Sequence, residues 1–121
     1  MILRLKSAFR TAAGRVPLAL PDLHHSLAAF QKRADSPAYW HRPEVWDDVR
    51  SGYDRFFALN PDAAEYRHNY AKDAYLCGHY SEFRGQCRLF TWTNFEFFGG
   101  EQKYRQMLVR ASAREPSEAQ K

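Results

Sequence analysis

Apolar residues recur at helical spacing along most of this chain, and the stretches between them are short. Ile2, Leu5, Phe9 and Ala12 fall on one face while Arg4, Lys6 and Arg10 lie around the rest, which predicts a basic amphipathic helix over residues 1–16. Gly14 and Pro17 end it. A second helix is expected from Pro21-Asp22 to about Ala34, with Leu23, Leu27, Ala28 and Phe30 inward and Asp22 serving the free amides of the first turn. Ser36 to Arg42 reads as a loop carrying Tyr39, Trp40 and His41. Pro43 at a first helical position, with Glu44 and Asp47 near the positive end of the helix dipole, opens a third helix that runs to Leu59. Its inward stripe is Trp46, Val49, Tyr53 and Phe56 or Phe57, and Asp47, Arg50, Ser51 and Asp54 face water.

The segment from Asn60 to Phe90 carries the clearest pattern. It predicts one helix from about Ala63 to Cys77 with Tyr66, Tyr70, Ala71 and Ala74 inward, a turn at Gly78, and a second helix from Tyr80 to Phe90 folded back on the first. Gly85 inside that second helix costs about 1 kcal/mol relative to alanine, a cost acceptable where it lets a neighbouring helix approach. Thr91 to Gly100 is an aromatic-rich connection. A last helix from Glu101 to about Ala113 offers Tyr104, Met107, Leu108 and Ala111 as a cover, and a polar tail is expected over 114–121.

The spacing around Pro61 resembles a tetratricopeptide repeat. Asn60-Pro61-Asp62 stands where such repeats join, Tyr70 and Ala71 take the large and small positions of helix A, and Gly78 falls in the turn. Tyr80 opens helix B, with Cys87 and Phe90 on its inward stripe. Counting back from Pro61, Trp46, Val49, Tyr53 and Phe56 take the places of a preceding helix B, so the register holds over roughly 45 residues. Phe83 fills a place usually held by alanine, Ala74 stands where tyrosine is usual, and Ser36-Pro37 interrupts the upstream helix A. The segment Asn94 to Leu108 is similar to the end of bacterial tetratricopeptide-like proteins. The resemblance implies an all-α, short tetratricopeptide-like α-hairpin array of five to six helices, with residues 17–113 as its domain. A single hairpin cannot bury its own apolar face, so neighbours on both sides follow.

Composition narrows the function classes. With 121 residues, 45% hydrophobic and 16% aromatic, the chain has ample core material for one domain. The net charge of +4 is an N-terminal property: residues 1–42 hold seven Lys/Arg against two Asp/Glu, and residues 43–121 hold eleven against twelve. Cys77 and Cys87 form neither a disulfide framework nor a metal ligand set, so a reducing, cytoplasmic setting is expected. No apolar run reaches the ~18 residues of a membrane span. His68 and His79 would lie about 16 Å apart on a continuous helix, and His24-His25 are adjacent rather than spaced i, i+4 as helix-borne zinc ligands are. No metal or cofactor is therefore expected.

The helix A groove of tetratricopeptide arrays, carried onto this register, comprises Glu65, His68, Asn69, Lys72 and Tyr75, flanked by the Tyr39-Trp40 loop. The resemblance thus implies a protein-protein interaction module or adaptor that receives a partner segment there. Lys72 and Asn69 would suit a carboxylate. The bland alternative is that the same residues are simply a solvated helix face. The rings of the two aromatic stretches either pack over the hairpin ends or form an apolar patch for a partner, including another copy of the chain. Two further classes stay open: an enzyme centred on Cys77, His68 and His79, and weak contact of the basic N-terminal helix with anionic membrane. Nucleic-acid binding ranks below these, since no stacking motif or recognition helix accompanies that basic segment.

Overall fold

The computed structural model describes residues 18–32 and 36–119, with side chains described as far as residue 113. The basic helix expected over residues 1–16 lies outside the described residues. Among those described, the chain is all-helical: α1 (Ala19–Phe30), α2 (Pro37–Trp40), α3 (Pro43–Leu59), α4 (Tyr66–Leu76), α5 (Tyr80–Cys87) and α6 (Glu101–Ala119), with a 3₁₀ turn at Phe95–Phe98 and no strand. No described helix is long and apolar enough to cross a membrane. Two compact units separate between Asp62 and Ala63, next to the Pro61 junction, where the sequence suggests one domain over 17–113.

In the first unit α1 packs along α3, and the short α2 leans on α3. Pro43 occupies the first turn of α3, where its missing N–H costs nothing, and Asn60 ends the helix by donating its backbone and side-chain N–H groups to the Phe56 carbonyl at 2.8 and 3.1 Å. The buried stripe of α3 is Val45, Val49, Tyr53 and Phe57, with Asp48 and Gly52 beside it. Trp46 and Phe56, expected inward, are half-buried at its edges. The face of α1 differs from expectation in the same sense. Leu20, Leu23, His24 and Ala28 are buried, Leu27 is half-buried, and Phe30 is 87% exposed. The physical reason is His24: its partners lie inside the unit, which rotates the 20-24-28 row inward and turns Phe30 to solvent.

The Ser36–Arg42 segment is not the exposed loop that its sequence suggests. Pro37–Trp40 forms a helical turn, and both Tyr39 and Trp40 are 0% exposed. Tyr39 meets His24 and Trp40 edge-on, Trp40 also packs on His25, and Arg42 lies over the Tyr39 ring while its Nε–H donates to the Tyr39 carbonyl at 3.1 Å.

The second unit is the α4–α5 hairpin with α6 packed on α5 and the 3₁₀ turn packed on α6. α4 begins at Tyr66 rather than Ala63, because the chain from Pro61 to Glu65 is held in turns whose carbonyls take the first N–H groups at short range. Its C-terminus is closed by Gly78 at φ 79°: the Gly78 N–H donates to the Tyr75 carbonyl and the His79 N–H to the Ala74 carbonyl, at 3.0 and 2.9 Å. That double bond pattern needs the left-handed residue that glycine supplies without a Cβ clash. Tyr70, Ala71, Ala74, Tyr80 and Phe83 form the hairpin core, and Tyr104, Met107 and Ala111 bring α6 onto it, with Leu108 half-buried. α6 continues to Ala119, past the residue 114 start expected for a polar tail.

Gly85 does not serve the close helix approach expected of it. A Cβ built there meets only the Glu82 Oε2, at 4.0 Å. Gly85→Ala is therefore expected to stabilise the second unit by about 1 kcal/mol through helix propensity alone, read as a rise in the thermal unfolding midpoint. A fall instead would mean that the site is crowded.

Candidate binding cleft

The aromatic connection after α5 folds back over the start of α4, and His68 holds it there. The His68 ring stacks on Phe90 with centroids 4.0 Å apart and planes 3° from parallel, and Phe97 meets it edge-on at 6.0 Å. The backbone N–H of Asn94 donates to His68 Nε2 at 2.9 Å. Nε2 is thus an acceptor, which requires the neutral ring. Burial pushes the His68 pKa below the ordinary imidazole value, against a smaller opposing effect of a hydrogen bond to the Glu65 backbone.

This arrangement has a sign in pH. A histidine whose folded pKa is lowered contributes stability that is present above its unfolded pKa of about 6.5 and is lost as pH falls toward the folded value. The second unit is accordingly expected to lose stability on acidification from pH 7 to 5, with part of that loss abolished in His68→Gln. Thermal unfolding across that range measures it, and an identical pH slope in the two proteins would contradict it.

Between the start of α4 and the folded-back connection lies a cleft of about 390 Å³, lined by Glu65, Tyr66, His68, Asn69, Phe90, Trp92, Asn94 and Phe97 together with Ala64 and Thr91. Trp92 at its rim is 71% exposed, and Tyr66 is 37% exposed. Gly99 and Gly100, at φ 97° and 112°, turn the chain from the 3₁₀ segment into α6, with their N–H groups bonded to Glu96 and Phe95 carbonyls.

The seven residues singled out from the sequence are dispersed by the fold. Glu65 is exposed and Asn69 half-buried, and both line the cleft. His68 is buried at its base, so it positions the connection rather than facing outward. Lys72 sits with its ammonium 5.3 Å from the Phe97 ring centroid, a cation–π contact that occupies the charge expected to meet a carboxylate. Tyr75 packs against Tyr80 and Phe83 of α5. Tyr39 and Trp40 belong to the core of the first unit, and full burial corrects their expected role as a partner-facing loop. The other seven lining residues, Trp92 and Asn94 among them, lie outside the groove positions that the repeat register gives. For those after α5 the one sequence signal is the density of rings between Phe90 and Phe98, whose contact with His68 spans more than twenty residues and leaves no periodic trace.

Other clusters offer less. Cys77 is buried, and desolvation, aided by the nearby Asp73 charge, drives its pKa well above the ordinary thiol range. A nucleophile needs the thiolate, so the catalytic reading centred on Cys77 has no support in this geometry. Burial likewise raises Cys87, against the smaller lowering effects of Tyr104 and Arg88. Among the described residues no group of histidine, cysteine and carboxylate side chains could hold a metal. A hollow of about 680 Å³ runs along α6, but one helix alone lines it, with exposed Val109 and the i, i+4 pair Glu101–Arg105 at 2.8 Å. It is a surface trough without convergent polar groups.

The first unit holds a buried polar chain. His24 Nε2–H donates to Asp48 Oδ2 at 2.9 Å, and His24 Nδ1 bonds the Tyr39 hydroxyl at 2.8 Å. His24 is 3%, Asp48 1% and Tyr39 0% exposed, so no reactant reaches them and the chain is structural. Burial raises the Tyr39 pKa, which keeps its hydroxyl proton in place for that bond.

Over the described residues the fold is all-α, and the connection after α5 gives it an aromatic-walled recess beside α4. No family model, curated protein or solved structure matches the chain.

Proposed function

We propose that this protein is an interaction module whose cleft beside α4 receives an extended segment of a partner protein, and that it works in the cytoplasm. The observation that carries this reading is Trp92, a large ring held 71% exposed at the rim of a recess rather than folded into the adjacent aromatic core. Tryptophan is the residue most enriched among the anchors of protein interfaces, and apolar recesses with a few polar groups are where side chains are captured. The surroundings favour recognition over chemistry: the cysteines are buried or half-buried with raised pKa values, and His68 is engaged as a hydrogen-bond acceptor. Two free cysteines fit a reducing compartment.

The site differs from a tetratricopeptide groove in its centre of gravity. It lies at the first turn of α4 and against the connection after α5, rather than along the Glu65–Tyr75 face as a whole. The test is site-specific photocrosslinking in the native cell, with the photoreactive amino acid p-benzoylphenylalanine at position 92 or at position 109, which is similarly exposed on α6. A discrete adduct from position 92 and none from 109 is expected. Equal labelling at both positions, or none at 92, would overturn the reading.

A further inference from the structure

The recess has a chemical preference, and we infer that it takes the guanidinium of an arginine in the partner segment; this rests on the partner-binding reading above. Of its ten described lining residues one is charged, and that one is Glu65. Among the described residues no Lys or Arg lines the cleft. His68 adds no positive charge, because its Nε2 accepts the Asn94 N–H. The nearby ammonium of Lys72 faces the Phe97 ring.

The remaining walls are π surfaces and amides. Aromatic faces carry partial negative charge, so Tyr66 and Trp92 favour a cation with a flat, weakly hydrated body. A guanidinium meets both demands at once: it stacks on a ring and presents a fork of N–H donors to a carboxylate, which a lysine ammonium does not. The side-chain amide of Asn69 has no hydrogen-bond partner among the described residues and is placed to bond the backbone of the bound segment.

Competing occupants fit less well. An anion would seek free amides at the start of α4, but the N–H groups of Tyr66, Arg67 and His68 are already bonded to the carbonyls of Ala63, Ala64 and Glu65. A wholly apolar side chain would strip water from Glu65 and Asn69 and give nothing in return.

The test uses the isotope-labelled full chain and three short blocked glycine peptides at millimolar concentration, carrying one central arginine, citrulline or glutamate. The arginine peptide is expected to shift the Trp92 indole and Asn94 amide resonances saturably, and the citrulline peptide to bind about tenfold more weakly. Glu65→Gln, at an exposed position, should lower arginine-peptide affinity to the citrulline level while leaving the rest of the spectrum in place. If citrulline or glutamate binds as well as arginine, or if Glu65→Gln changes nothing, the arginine assignment falls and the partner-binding reading stands. If no peptide shifts the cleft resonances, both fall.

Discussion

An Asp48→Ala variant is expected to lose about 3–5 kcal/mol of stability in the first unit, enough to populate its unfolded form at ambient temperature. The carboxylate is 1% exposed and accepts the His24 Nε2–H at 2.9 Å, so its removal leaves that imidazole without this acceptor in a place where water cannot replace it. The effect reaches Tyr39, whose hydroxyl bonds the other ring nitrogen. Urea unfolding followed through Trp40 and Trp46 fluorescence reads the loss. A change under about 1 kcal/mol would show that the network is not what holds α1 on α3. A triple variant, His24→Leu with Asp48→Leu and Tyr39→Phe, is expected to recover most of the stability, since replacing all three members of the chain by apolar groups leaves no buried polar group unpaired.

Phe83→Ala is the second large effect, a destabilisation of about 3–5 kcal/mol in the second unit. Phe83 is 0% exposed at the centre of the α4–α5 hairpin, with Tyr75 edge-on at 5.1 Å. The ring fills the space between the two helices, so the shorter side chain leaves a cavity lined by groups that cannot collapse fully. Phe83→Leu should cost much less. Backbone hydrogen exchange across α4 and α5 resolves the two cases, and protection in Phe83→Ala equal to wild type would mean that the hairpin tolerates the small residue.

The sequence carries the helix boundaries set by local chemistry. Pro43, Asn60 and Gly78 each act within a few residues of themselves, and α3 and the α4–α5 turn stand where these residues put them. The faces turned inward are less legible, and the reason is common to both units. A hydropathy pattern treats histidine and aspartate as outward-facing, yet His24, Asp48, His68 and Asp73 are all buried. The bonds traced for His24, Asp48 and His68 span 15, 24 and 26 residues, distances at which spacing says nothing. That is why the 20-24-28 row displaces Phe30 from the core, and why His68 is read as a groove residue when it is the anchor of the connection. The cleft itself follows from that anchor, so only Glu65, His68 and Asn69 of its lining are reachable from the repeat register. Tyr39 and Trp40 fail for a different reason: a Pro-initiated four-residue turn buries rings that an aromatic loop would expose.

The central claim is that Trp92 and the cleft behind it hold a partner. Its most direct measurement is the affinity of the partner captured by crosslinking at position 92 for the wild-type chain, for Trp92→Ala and for Val109→Ala, each checked by circular dichroism. Loss of an interface tryptophan costs 2 kcal/mol or more at a true anchor, so Trp92→Ala is expected to bind roughly thirtyfold more weakly while Val109→Ala binds as wild type. Equal affinity of Trp92→Ala and the wild-type chain would contradict the account.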